Sequence, residues 1–124
     1  KLFYGGNYGW DKLYWGGTKY SGLYGGPKWL PGFDKPIKYY VPSIAISACL
    51  IYKGKEFKEW NGDALVVSLK DMSLRKIKFS KNKFLKEEII FKDKIGRLRD
   101  IKLLKSGKLL LLTDRGGLWM LSKT

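Results

Sequence analysis

Two arginines separated by a single residue are the side chains of this sequence best suited to binding an anion. Arg97 and Arg99 lie on either side of Leu98, so in a β-strand both guanidinium groups point to one face of the sheet. Arginine suits carboxylate and phosphate groups because its donors form a fixed fork and its charge is permanent. The spacing therefore predicts a site for a group with several negative charges. The alternative is a solvated strand face of a basic protein.

The residue types present restrict the catalytic chemistry. The chain contains no histidine, which removes the commonest general base near neutral pH and the commonest ligand of transition metals. Ser-His, Cys-His and zinc-hydrolase mechanisms are therefore excluded for this chain acting alone. Cys49 is the single cysteine and lies in an apolar run, so we expect no disulfide within the chain and a small buried side chain at this position.

The net charge of +14 raises the question of a nucleic-acid or membrane partner. A dense positive field attracts phosphate groups, but the lysines are spread along the chain without a continuous basic block or a basic helix. Nucleotide bias in the genome is the preferred explanation of this charge, and we expect no nucleic-acid partner. The sequence has no apolar run long enough to span a bilayer, so no membrane span is expected.

Residues 1–40 differ from the rest of the chain in being rich in glycine and aromatic residues. Nine of the fifteen glycines lie before residue 36. Tyr4-Gly5-Gly6, Trp15-Gly16-Gly17 and Tyr24-Gly25-Gly26 form a weak repeat. Such glycine density disfavours helices and long strands, which predicts a structured loop segment with aromatic side chains packed on a neighbouring surface. An aromatic platform for sugars or bases is the alternative.

Residues 41–124 are predicted to form short strands separated by turns, with a helix conceivable only at residues 83–90. The predicted strands are residues 43–52, 64–69, 74–79, 88–91, 98–104, 108–113 and 118–122. Short antiparallel strands at this spacing are typical of a sandwich, a barrel or propeller blades. Four strands followed by three make one complete blade and one that lacks a strand, which a closed propeller takes from the far end of the chain.

A set of motifs, in this order along the chain, resembles the soluble glucose/sorbosone (aldose sugar) dehydrogenases that use pyrroloquinoline quinone (PQQ). The motifs are Gly5-Gly6-Asn7-Tyr8-Gly9-Trp10, Val41-Pro42-Ser43-Ile44-Ala45, Phe57-Lys58-Glu59-Trp60-Asn61-Gly62-Asp63, Leu65-Val66-Val67-Ser68-Leu69-Lys70, Gly96-Arg97-Leu98-Arg99-Asp100-Ile101 and Leu112-Thr113-Asp114. Each motif is weak, but the ordered set is fairly specific. The family is a six-bladed propeller several times longer than this chain. The resemblance therefore implies an all-β, propeller-type C-terminal part of about two blades.

The resemblance also implies roles for individual residues. The family's cofactor-binding lysine falls on Lys70, and its paired arginines fall on Arg97 and Arg99. PQQ carries three carboxylates, which one ammonium and two guanidinium groups would neutralise and orient. Lys70 is predicted to end a buried strand, where its charge would be costly without an anion. Tyr39 and Tyr40 are candidates for the substrate pocket, or else packing residues at the start of a strand.

The family's catalytic histidine and calcium ligands have no counterpart here and are expected upstream. In the family, the histidine takes the proton of the sugar's anomeric hydroxyl as hydride passes to the quinone, and calcium polarises the cofactor. The resemblance thus implies an aldose substrate, an external electron acceptor and a periplasmic or secreted location, with this chain inactive alone. Two alternatives stay open: a non-enzymatic basic β module that binds glycans or polyanions, and a propeller that binds sugars without redox function.

Overall fold

The computed structural model describes residues 4–9, 12–14 and 22–124. The chain divides into two compact units, residues 1–43 and residues 44–124, which are described separately below. The division falls three residues beyond the boundary predicted between the glycine-rich segment and the strands. Trp15-Gly16-Gly17, the middle copy of the weak repeat, lies outside the described residues.

The described part of the first unit is irregular backbone held by a few hydrogen bonds. Leu13 N–H donates to Gly9 O at 2.9 Å, and Tyr14 N–H donates to Pro27 O at 3.0 Å. Gly9 has a φ of +83°, and a Cβ there would lie 2.4 Å from the Leu13 side chain, so this tight turn requires glycine. Tyr4 and Tyr24 are exposed, in contrast to the packed aromatic side chains that the composition predicts.

The second unit consists of two antiparallel sheets, and no α-helix occurs in the described residues. The first sheet has the order β1-β2-β3-β4, and the second has the order β5-β6-β7. The strands are β1 (Ile46–Ile51), β2 (Ala64–Ser68), β3 (Ser73–Ser80), β4 (Lys83–Lys92), β5 (Leu98–Leu103), β6 (Leu109–Thr113) and β7 (Leu118–Leu121). The predicted all-β class and the seven strands are confirmed. Among the described residues, no helix has the length and apolar character needed to cross a membrane.

The segment at residues 83–90 belongs to strand β4, so the helical alternative there is wrong. Ser80 pairs with Lys83 at the end of a long hairpin, and the two residues between them, Lys81 and Asn82, have φ values of +47° and +62°. Two positive φ values in a two-residue loop match the twist of a β-hairpin, and asparagine tolerates this conformation. The turn therefore commits the following residues to pair with β3.

The core lies between the two sheets and is built from large side chains of both. Its completely or almost completely buried members are Tyr52, Leu65, Val67, Leu74, Leu98, Leu109 and Leu111. The Tyr52 hydroxyl donates to Gly107 O at 2.7 Å and accepts from Phe57 N–H at 3.1 Å. Because Gly107 lies in the turn between β5 and β6, this buried hydroxyl links the first sheet to a loop of the second.

Bulges interrupt the regular alternation of β1 and β5. In β1, Ile46 pairs with Ser68 and Ala48 with Val67, so Ser47 is the extra residue. Ile46 is exposed, whereas Ala48 and Leu50 pack against the core, because a bulge changes the phase of the strand. Cys49 is also exposed, and the prediction of a buried cysteine is wrong, since its neighbours Ala48 and Leu50 are the residues that pack against the core.

Candidate functional site

Arg97 and Arg99 contact the same carboxylate at the start of β5. Leu98 between them is fully buried, whereas the two arginine side chains are 52% and 50% exposed. Arg97 Nε lies 3.3 Å from Asp114 Oδ2, and Arg99 Nε pairs with Asp114 Oδ1. The two guanidinium groups are thus brought together outside the core, with Leu98 anchoring the segment.

The local backbone explains why both arginines reach Asp114. Leu98 pairs with Thr113 and Asp100 pairs with Leu112, so Arg99 is the extra residue of a bulge. A bulge bends its strand and re-aims the neighbouring side chains. Asp114 directly follows β6, and its N–H donates to Arg97 O at 2.9 Å. The hairpin of β5 and β6 therefore fixes the aspartate opposite the arginines.

Asp114 is ionised and shared between the two cations. The hydrogen bond from Arg99, together with the positive charges of Arg99 and Arg97, lowers the pKa of the Asp114 carboxyl below its usual range. One negative charge lies among two positive charges, so the cluster keeps an excess of positive charge. The sequence-based prediction of the site overlooked Asp114, although a β5–β6 hairpin with a short turn places this residue opposite Arg97.

Lys70 lies at the same end of the two sheets as Arg97. It follows β2 by two residues, and its N–H donates to Ile44 O at 3.1 Å. At this end, the Ser47 hydroxyl donates to Leu98 O at 2.7 Å and so joins the start of β1 to the start of β5. Strand β2 is buried, as predicted, but it stops at Ser68. Lys70 lies beyond its end with an exposed side chain, so the predicted cost of burying its charge does not arise.

Asp71, the neighbour of Lys70, is the centre of a second ionic cluster. Its carboxylate pairs with Arg75 and lies 2.8 Å from Lys92 Nζ, while Arg75 also pairs with Glu87. Burial by itself raises the pKa of Asp71, but hydrogen bonds from Lys92, Arg75 and Ser73 outweigh it and hold the pKa far below its usual range. This cluster ties the turn that carries Lys70 to strands β3 and β4.

Tyr39 and Tyr40 belong to the first unit, outside any helix or strand. Tyr39 is exposed, and Tyr40 is half-buried with Lys38 Nζ 5.1 Å from its ring centre. Their role in a substrate pocket stays a prediction. In the described part of the chain, no group of three histidine, cysteine or acidic side chains is arranged to hold a metal ion.

The two antiparallel sheets, of four and three strands, are of the propeller type. The sequence model of the family "Glucose / Sorbosone dehydrogenase" matches residues 2–120. The chain belongs to the glucose/sorbosone dehydrogenase family. The predicted family and propeller-type fold are thereby confirmed.

Relatives and solved structures agree with this assignment. The chain is 29% identical over 113 residues to the aldose sugar dehydrogenase YliI of Escherichia coli (strain K12), covering 89% of this chain and 30% of that protein. A crystal structure of a glucose dehydrogenase superposes with a TM-score of 0.85 at 27% identity, covering 96% of this chain and 36% of the other. The apo-form of the soluble aldose sugar dehydrogenase (Asd) from Escherichia coli superposes with a TM-score of 0.81, at 27% identity over 96% of this chain and 36% of the other. The chain therefore spans about a third of the length of these proteins.

Proposed function

We propose that this chain forms about two blades of a six-bladed, PQQ-dependent dehydrogenase that oxidises aldoses at the anomeric carbon. In this proposal Lys70, Arg97 and Arg99 bind the carboxylates of the quinone. The observation that carries it is the convergence of two half-exposed arginines on one aspartate through their Nε atoms. Family membership supports the reaction class, and the geometry supports the anionic character of the ligand.

The donors of this cluster fit a polycarboxylate. A guanidinium group has five N–H donors, and the contacts of Arg97 and Arg99 with Asp114 are made by Nε. Within the described part of the chain the Nη donors have no hydrogen-bond partner and remain for a ligand. Lys70 adds an exposed ammonium group at the same end of the sheets. Three positive charges against one carboxylate leave an excess of positive charge that attracts a polycarboxylate. A neutral sugar would not use this charge.

The residues of this chain would hold and orient the cofactor rather than transfer protons. When bound, PQQ supplies the acceptor for the hydride that leaves the anomeric carbon. Arg97, Arg99 and Lys70 hold carboxylates by charge-assisted hydrogen bonds, which fix the ligand relative to the propeller. The chain contains no histidine, so in this proposal the histidine that accepts the proton of the anomeric hydroxyl would belong to another part of the protein, as would the calcium ligands.

Further blades of the same protein would complete the site. Leu118, Trp119 and Met120 on β7, the last strand of the second sheet, are exposed. A run of exposed apolar residues on an edge strand is usually covered by another element. Because the relatives are about three times as long, an adjacent blade is the cover that we propose. Tyr39 and Tyr40 would line the sugar pocket. An external electron acceptor would reoxidise the cofactor. The whole protein would be periplasmic or secreted.

Alanine substitutions at the proposed cofactor contacts test this function. In the protein that contains this chain and the remaining blades, Arg97→Ala and Lys70→Ala should each weaken PQQ binding about 10- to 100-fold. Each change removes a charge-assisted hydrogen bond to a carboxylate. The measurement is titration of the apo-protein with PQQ by calorimetry, with circular dichroism to verify folding.

Lys105→Ala is the matched control. Lys105 is exposed in the turn between β5 and β6, at the end of the hairpin opposite to Arg97, and its loss removes the same charge from the same sheet. PQQ affinity should stay within about twofold of the unsubstituted protein, since distant exposed charges are screened by salt. Equal PQQ affinity in Arg97→Ala, Lys70→Ala and the unsubstituted protein would refute the proposed site.

A further inference from the structure

Asp114 occupies a fixed position between Arg97 and Arg99. Its backbone N–H donates to Arg97 O at 2.9 Å, so the main chain on both sides of the cluster is held by the hairpin. Its side chain is 28% exposed, less than either arginine. The two contacts use different oxygens, since Arg97 lies at Oδ2 and Arg99 at Oδ1. The carboxylate thus bridges the two guanidinium groups.

The contacts with Asp114 engage one nitrogen of each arginine. Both contact Asp114 through Nε, and the Nη atoms lie at the far end of the rigid, planar guanidinium. Among the described residues no Nη atom of Arg97 or Arg99 has a hydrogen-bond partner, so these donors remain for a ligand. In the absence of the bridging carboxylate, two like charges on either side of Leu98 repel each other and their long side chains sample other rotamers.

We propose that Asp114 is a positioning residue that holds Arg97 and Arg99 in the orientation in which their free Nη donors receive cofactor carboxylates. This inference rests on the proposed function of the site. With the aspartate in place, the arginine side chains lose less conformational entropy when the ligand binds. This is the usual benefit of a pre-organised site. The alternative is that Asp114 competes with the ligand, because it occupies arginine donors that the ligand needs.

Asp114→Asn separates positioning from simple charge. The substitution keeps the backbone hydrogen bond and removes a negative charge, which by itself would favour a trianionic ligand. Positioning predicts the reverse, a loss of PQQ affinity of about tenfold, as is typical when a supporting residue behind a ligand-binding side chain is removed. Calorimetric titration of the apo-protein with PQQ measures the affinity. Asp114→Glu, which restores a carboxylate able to bridge the arginines, should recover part of the loss.

Asp93→Asn is the charge-matched control. Asp93 is exposed, and among the described residues its side chain forms no ion pair. Its φ is +55°, which asparagine tolerates as well as aspartate. PQQ affinity of this variant should equal that of the unsubstituted protein.

The possible results distinguish the inference from the function on which it rests. If the unsubstituted protein binds PQQ and Asp114→Asn binds it equally well or more tightly, the positioning role is refuted while the cofactor site stands. If the unsubstituted protein does not bind PQQ, the proposed function fails and this inference fails with it. If Asp114→Asn does not fold, Asp114→Glu decides, because weaker PQQ binding without a change in circular dichroism supports positioning, whereas affinity equal to or higher than that of the unsubstituted protein refutes it.

Discussion

Two clusters of charged residues lie near each other along the chain. They differ in whether their hydrogen-bond donors stay available to a ligand. In the first, Arg75 and Asp71 side chains are only 11% and 13% exposed, and Arg75 pairs with two acids. In the second, Arg97 and Arg99 are half exposed and share one acid. Charges that are buried must be paired to be tolerated, whereas the exposed pair keeps donors for a ligand. The first cluster is therefore structural, and the second is the candidate site.

Asp71→Asn should destabilise the fold by about 1–3 kcal/mol at neutral pH, because Arg75 and Lys92 lose a charged hydrogen-bond partner. The pKa of Asp71 is lowered in the folded state relative to its usual value of 3.8. Its stabilising contribution is therefore fully present above about pH 4 and is lost as the pH falls further.

Thermal unfolding of the variant and the unsubstituted protein, at neutral pH and near pH 3, measures this difference. The two midpoints should be well separated at neutral pH and closer in acid. The unfolding midpoint of Asp93→Asn should equal that of the unsubstituted protein at both pH values. If the unfolding midpoints of Asp71→Asn and the unsubstituted protein differ by the same amount at both pH values, the carboxylate charge is not the cause of the lost stability.

At the scale of elements, the hairpin turns and bulges place the site. The turn between β5 and β6 is held from the first sheet by Tyr52, whose hydroxyl donates to Gly107 O at 2.7 Å. At the other end, the Ser47 hydroxyl at the bulge of β1 donates to Leu98 O at 2.7 Å. The second sheet is thus attached to the first at both ends of β5, which keeps the arginines and Lys70 at a common edge.

Gly107→Ala should be more destabilising than Gly62→Ala, although the two glycines have φ values of +90° and +89°. An added Cβ at Gly107 would lie 2.7 Å from Glu56 N and 2.8 Å from Lys55 N, whereas nothing lies within 4 Å of one at Gly62. The backbone strain common to both costs about 1–2 kcal/mol. The clash at Gly107 adds about 1–3 kcal/mol. Urea unfolding measures the two losses, and equal losses would contradict the close packing of this turn.

Over the whole molecule, the positive charge is high and widely distributed. The net charge is +14, from 25 basic and 11 acidic side chains, and the acids Asp71 and Asp114 each lie among basic side chains. The remaining lysines are distributed over both sheets and their turns. Such a distribution gives a general attraction to polyanions rather than a shaped site.

Nucleic acid should bind this protein only at low salt. In gel-shift titrations with duplex DNA and with single-stranded RNA, we expect no complex at about 150 mM salt, because nonspecific phosphate contacts weaken steeply with added salt. At the proposed site PQQ binding should persist under the same conditions, since there it would depend on fixed, directional hydrogen bonds. Tight nucleic-acid or glycan binding at this salt concentration, together with no PQQ binding, would favour the basic β module instead.

The strand positions and the family could be read from the sequence, because apolar alternation, turn residues and motif order are local properties of the chain. The same is true of the spacing that places Arg97 and Arg99 on either side of a buried Leu98. The exposure of Cys49 and of Lys70 could not be read in this way, since a hydrophobic neighbourhood in sequence does not specify which face of a strand is covered.

Only the tertiary structure revealed that Asp114 bridges the two arginines. That contact depends on the bulge at Arg99 and on the pairing of Leu98 with Thr113. A shift of one residue in this register would turn the side chains to the other face of the sheet. Local sequence therefore determined which residues carry the charge. The register between two strands, which is decided by packing across the whole sheet, determined which of those charges meet.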